Sequence, residues 1–100
     1  MLHTVNKSPF EKNSLMTCLS FVRQGSTILL LEDGIYGALK GTQFESAVTE
    51  VLKNCRIYVL EADLRTRGMR EENVISGITL ASYGDFVDLV VNNNTVKAWL

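Results

Sequence analysis

The chain is short of the residues that dedicated chemistry uses most. It has one histidine, one proline and two cysteines in 100 residues. His3, Cys18 and Cys55 match no zinc-ligand spacing, so no metal site is expected. Neither a G-x-G-x-x-G run nor a phosphate-loop motif is present. DGIYG places Gly34 and Gly37 behind two acids that would repel a phosphate, so no nucleotide, flavin or other cofactor is expected. Charge of one sign is also missing. Ten bases and eleven acids leave a net charge of -1, which speaks against broad electrostatic capture of nucleic acid. No apolar run approaches the roughly 20 residues of a membrane span. The start, MLHTVNKSPF, lacks the basic segment and apolar core of a secretory signal. The chain reads as cytosolic, with both cysteines as free thiols.

Hydrophobic residues make up 46% of the chain and charged residues 21%, as expected of one packed domain over residues 1–100. MLHTV alternates weakly and reads as a first strand. Ser8, Pro9 and Glu11 have the spacing of a capping box with proline at the first helical position. They predict a helix from Ser8 to near Gly25. Within it Leu15, Cys18, Leu19 and Val22 form one stripe. TILLL, residues 27–31, is apolar on both alternations and fits a strand covered on both faces. EDG breaks it, and IYGAL forms a short helical turn. Thr42 and Glu45 predict a second capping box, opening a helix with Phe44, Ala47, Val48, Val51 and Leu52 on one face.

CRIYVLEA is a β-branched and aromatic third strand. DLRTRG is a short helix closed by Gly68. SGITLAS contains a fourth strand. Ser82 and Asp85 open a helix carrying Phe86, Val87, Leu89 and Val90, and TVKAWL ends the chain as a strand. The order β-α-β-α-β-α-β-α-β predicts an α/β fold. The economical form is a flavodoxin-like three-layer sandwich with a mostly parallel five-stranded sheet.

In such a sheet, ligands meet the carboxyl ends of the strands. Glu32, Asp33, Glu61, Asp63, Tyr83 and Asp85 are expected at that edge. They could serve as acid–base groups of a stand-alone enzyme or ligand-binding domain. The plainer reading is that acids favour helix N-termini, where the dipole stabilises them. Arg65, Arg67 and Arg70 could meet an acidic partner or an RNA backbone, or could complement a helix C-terminus. With Glu71 and Glu72 beside them they make a poor nucleic-acid stripe. His3 falls inside the first strand pattern and reads as a satisfied histidine. Cys55 opens strand three, at the opposite edge.

Cys18 has two readings, a small buried filler or a reactive thiol. A start at Ser8 puts it about 15 Å down its helix, and a start at Asn13 or Ser14 brings it nearer the strand ends. A reactive thiol needs partial exposure and a positive neighbourhood, and the nearest base is Arg23.

LHTVNKSPFEKNSLMTCLSF resembles the DsrH/TusB family of sulfur-relay subunits. LHT followed by SP, a strand ending in EDG, DLRTRG, DFVDL and a terminal AWL extend the resemblance over the full length. NKSPFE and CLSF look closer to the DsrH branch. The resemblance implies a DsrEFH-like, flavodoxin-like fold. It implies a place in a heterohexamer with DsrE/TusD-like and DsrF/TusC-like subunits, which passes persulfide sulfur to a DsrC/TusE-like carrier. The outcome would be sulfur oxidation or thiolation of tRNA wobble uridine, without direct tRNA contact by this chain. On this resemblance Cys18 occupies the place of a helix-one cysteine and is the candidate persulfide carrier. A subunit should also bury apolar surface on assembly. Trp99 and Leu100 are the candidate interface residues, and the alternative for Trp99 is packing on its own sheet.

Overall fold

Thr27–Leu30 (β2) is the middle strand of a five-stranded sheet. Ile28, Leu29 and Leu30 are all fully buried there, as a run apolar on both alternations requires. The computed structural model describes all residues, Met1–Leu100. Leu2–Val5 (β1) and Arg56–Leu60 (β3) flank β2, and Thr79–Ala81 (β4) and Val96–Trp99 (β5) form the edges. The order is β4-β3-β2-β1-β5, and every pairing is parallel.

That order decides where the helices go. Ser14–Phe21 (α1), Glu45–Leu52 (α2) and Glu61–Thr66 (α3) each connect a strand to its next neighbour in one direction. Tyr83–Asn92 (α4) returns from one edge to the other. With right-handed crossovers, α1 to α3 lie on one face and α4 on the other. The two cores agree. Leu15, Cys18, Leu19, Val48 and Leu64 join Val5, Ile28, Leu30, Ile57 and Val59 in one cluster. Leu2, Leu29 and Ala81 pack with Phe86 and Leu89 of α4 in the other. The result is the expected three-layer α/β sandwich, with one thick face and one thin face.

Three local expectations change. α1 starts at Ser14, not Ser8, and ends at Phe21, well before Gly25. Ser8 does bend the chain: its hydroxyl accepts from Phe10 N at 3.2 Å and its carbonyl from Lys12 N at 3.0 Å. The turn is not propagated, so a capping signal here produces one turn instead of a helix. Thr42 accepts from Phe44 N at 3.1 Å and the Glu45 carboxylate from Gly41 N at 2.6 Å. Both bonds stabilise the turn before α2, whose own cap, Phe44, receives no side-chain bond. At α4 the box forms as read. Asp85 N donates to Ser82 Oγ and Ser82 N to Asp85 Oδ2, each at 3.0 Å.

Candidate functional site

The carboxyl ends of β2 and β3 do gather acids, and the geometry shows what they hold. The chain leaves β2 into a 3-10 turn, Glu32–Ala38, with Glu32 at φ +50, a left-handed conformation that L side chains rarely adopt. Its N–H donates to Asp63 Oδ2 at 2.6 Å. Arg67, one turn along from Asp63, reaches back to Asp33 Oδ1 through Nε at 3.0 Å and a terminal nitrogen at 2.9 Å. The same guanidinium donates to the Asp63 carbonyl at 3.2 Å. Glu32, Asp33, Asp63 and Arg67 therefore form one clasp between the 3-10 turn and α3. Asp63 and Arg67 spend their hydrogen bonds on the backbone and on each other's neighbours. An acid–base site needs a carboxylate free to exchange a proton with substrate.

The other candidates on this edge are dispersed. Glu61 faces Arg65 at 3.5 Å, and Arg70 faces Glu72 at 3.6 Å, both as exposed pairs. Asp85 is engaged in its own cap. The backbone N–H and then the hydroxyl of Ser82 hold its carboxyl below the usual range. No three His, Cys, Asp or Glu side chains are grouped as a metal ion would need. The cleft between α3 and β4, lined by Glu61, Leu64, Arg65, Met69, Arg70, Glu71 and Leu80, has a volume of about 260 Å³. That falls short of the roughly 300–1,000 Å³ of ordinary ligand sites.

Cys18 lies on the second turn of α1 with no exposed surface, inside the larger core. Counted from Ser14, it sits only about 6 Å from the helix start. Burial, and then the nearby Cys55 thiol, push its pKa up to about 12. In this state the group is a neutral thiol at every physiological pH. Cys55 is also buried, and its Sγ donates to the Arg23 carbonyl at 3.2 Å.

Trp99 turns to its own sheet. Its Nε1 donates to His3 Nδ1 at 3.1 Å, Phe21 of α1 meets it edge-on at 5.7 Å, and the Lys97 ammonium sits 4.6 Å from its ring centre. Leu100 remains 81% exposed. The larger exposed apolar surface lies where no candidate was named. α4 buries no residue fully, and Val87, Val90 and Val91 stand open, with Val91 at 74%. The signal was in FVDLVV, residues 86–91, where Asp88 alone interrupts the apolar run. A helix packed on one side needs a narrower stripe than that.

Comparison with known proteins agrees with this geometry. A protein of unknown function from Methanobacterium thermoautotrophicum, MTH1491, has a similar fold, with a TM-score of 0.78 at 11% identity over 97% of this chain and 96% of that one. The ychN protein from E. coli superposes with a TM-score of 0.80 at 15% identity, covering 97% of each chain. At sequence level, Protein TusB of Erwinia tasmaniensis is 36% identical over 99 residues, which cover 99% of this chain and all of that one. Protein TusB of Escherichia coli is 34% identical over 101 residues, with the same coverage. The DsrH-like protein family matches residues 7–96, and the chain belongs to this DsrH/TusB family.

Proposed function

We propose that the chain is a scaffold subunit of a cytoplasmic sulfur-relay complex. It would assemble with DsrE/TusD-like and DsrF/TusC-like sister chains into a heterohexamer that hands persulfide sulfur to a DsrC/TusE-like carrier. Membership of the DsrH/TusB family carries this reading. The closed state of the chain's own chemistry supports the scaffold role. Its Asp33 and Asp63 carboxylates are tied into a clasp, and its helix-one thiol is sealed in the core.

In the relay step, an acceptor thiolate attacks the outer sulfur of a persulfide. A new S–S bond forms, the old one breaks, and the donor leaves as a thiolate. The attacking group must be ionised and reachable. Cys18 is neither in this structure, so its attack on a persulfide requires an opening of α1.

The test is reconstitution. Transfer from a persulfide-loaded sister subunit to the carrier is measured with the chain present, absent, or replaced by Cys18→Ser. Transfer that needs the chain and survives Cys18→Ser supports the scaffold. Transfer at full rate without the chain overturns it. Mass-spectrometric mapping of persulfide on Cys18 in the native complex would return the thiol to the relay.

A further inference from the structure

The first residues of β2 and β3 stand side by side at the amino edge of the sheet, opposite the clasp. Thr27 is in register with Arg56. Arg56 N donates to the Ser26 carbonyl at 3.1 Å, and Gly25 N to the Asn54 carbonyl at 2.8 Å. These bonds fix the two strand entries to each other. Between them and the end of α2 lies a cleft of about 400 Å³. Ordinary ligand sites hold roughly 300–1,000 Å³, a range that the cleft beside α3 does not reach. Gly25 lines the new cleft at φ +87, and an added Cβ there would meet nothing within 4 Å. The space above the strand entries is therefore open.

The charges that line this cleft have one sign. They are Lys53 and Arg56, and no acid accompanies them. The cleft beside α3 carries Glu61 and Glu71 with its arginines, and the hollow at the end of α1 carries Glu50 with Arg23. Arg56 is exposed and forms no ion pair. Lys53 meets Glu50 at 2.9 Å, but both side chains are largely exposed, and such a pair holds a lysine only weakly. Bases beside a helix end often serve its free carbonyls. Here the backbone N–H groups of Lys53, Asn54 and Cys55 already donate to the Glu50 and Val51 carbonyls, and Arg56 belongs to a strand. Cys55 also lines the cleft, with its Sγ committed to the Arg23 carbonyl at 3.2 Å. Its thiol is a wall of the cleft and not a free group within it.

We propose that this cleft binds a small organic phosphate monoester. Arg56 presents a planar fork of donors that matches phosphate oxygens, and Lys53 adds a second, mobile positive charge. Two cations suit a phosphate monoester, whose second proton leaves near pH 6, better than a singly charged carboxylate. The Thr27 hydroxyl and the Asn54 amide offer hydrogen bonds to the body of the ligand, and Leu52 offers it an apolar contact. The inference is independent of the sulfur-relay reading, and its failure leaves that reading as it stands.

The test titrates the full chain with phenyl phosphate at pH 7.5 and low salt, followed by nitrogen-15 NMR. Saturable shifts are expected at the Thr27, Asn54, Cys55 and Arg56 amides and at Arg56 Nε, with a Kd of about 1 mM or tighter. Arg56→Gln should weaken binding at least about tenfold, and circular dichroism checks that this exposed substitution leaves the fold intact. Arg65→Gln, on α3 at the far edge, should leave binding unchanged. Benzoate should bind at least about tenfold more weakly than phenyl phosphate, and phenol more weakly still. No saturation at about ten times the expected Kd would overturn the proposal. So would binding that Arg56→Gln leaves untouched, or that Arg65→Gln weakens as much. Benzoate or phenol binding as tightly as phenyl phosphate would overturn the phosphate head group.

Discussion

Trp99 Nε1 donates to His3 Nδ1 at 3.1 Å, a bond that ties the last strand to the first. His3 is almost wholly buried, and its partner sits on an edge strand held by β1 alone. The bond fixes the histidine tautomer, because Nδ1 must be the acceptor and Nε2 must carry the proton. Trp99→Phe keeps an aromatic ring beside Phe21 but removes the only donor that Nδ1 has. Urea unfolding should show a loss of about 1–2 kcal/mol, the cost of a buried acceptor left without its partner.

The same histidine sets a pH response. Burial first, then the positive chain terminus and Lys97, hold the His3 pKa below its ordinary value. As pH falls through about 6.5, the unfolded histidine takes up a proton while the folded one does not, so stability falls with pH. Stability is therefore full above about pH 6.5 and declines below it, down to the lowered folded value. Trp99 is the chain's one tryptophan, so its fluorescence reports the event directly. His3→Gln should flatten the decline in stability between about pH 6.5 and 5, measured by urea titration at each pH.

The clasp at the β2 and β3 ends predicts opposite effects for two neighbouring substitutions. Glu32 holds φ +50, which costs an L side chain about 1 kcal/mol. Glu32→Gly should therefore raise stability by about 0.5–1 kcal/mol. Asp63→Ala removes the acceptor for Glu32 N–H and one carboxylate beside Arg67. It should cost about 2 kcal/mol, and Asp63→Asn, which keeps an acceptor oxygen, about half as much. Thermal melts of the three variants decide the matter.

The strand and helix order was legible because the strands are short, strongly apolar and separated by clear breaks. TILLL announces a strand buried on both faces, and it is the central one. The strand order was not legible, since hydrophobic pattern says which faces are buried and not which edge a strand joins. The consequence of that order, a single helix over the thin face, was hidden with it. The acids were placed at the right edge, but their use was not visible. Arg67 and Asp33 are 34 positions apart, and only the crossover between β2 and β3 brings them together. The helix start at Ser14 was obscured by a genuine local signal. Ser8 makes the turn that its residue type favours, and the chain does not continue it.

Cys18 offers a direct test of the sealed core. With a pKa near 12, about one thiol in ten thousand is ionised at pH 8, and burial blocks the rest from reagent. Iodoacetamide labelling of Cys18 should run at the rate of global or local opening, and it should accelerate in urea in step with unfolding. Stability should fall as pH rises above about 8.5, where the unfolded thiol ionises and the folded one does not. Cys18→Ala should remove that alkaline decline, at a cost of about 1–2 kcal/mol for the lost sulfur volume.

Two glycines show that one substitution can fail for unrelated reasons. Gly34 stands in the 3-10 turn, where an added Cβ would lie 2.1 Å from the Val5 carbonyl oxygen. That oxygen also accepts from Leu31 N, so it cannot move aside without breaking the exit of β2. Gly34→Ala should cost more than about 3 kcal/mol or prevent folding, because two backbone segments cannot both hold their places. Gly41 stands at φ +81 with nothing within 4 Å of an added Cβ. Gly41→Ala should cost only about 1 kcal/mol, the penalty of a left-handed conformation for an L residue. Chemical denaturation of both variants checks the difference. Equal losses would mean that the close approach of the 3-10 turn to β1 does not hold in solution.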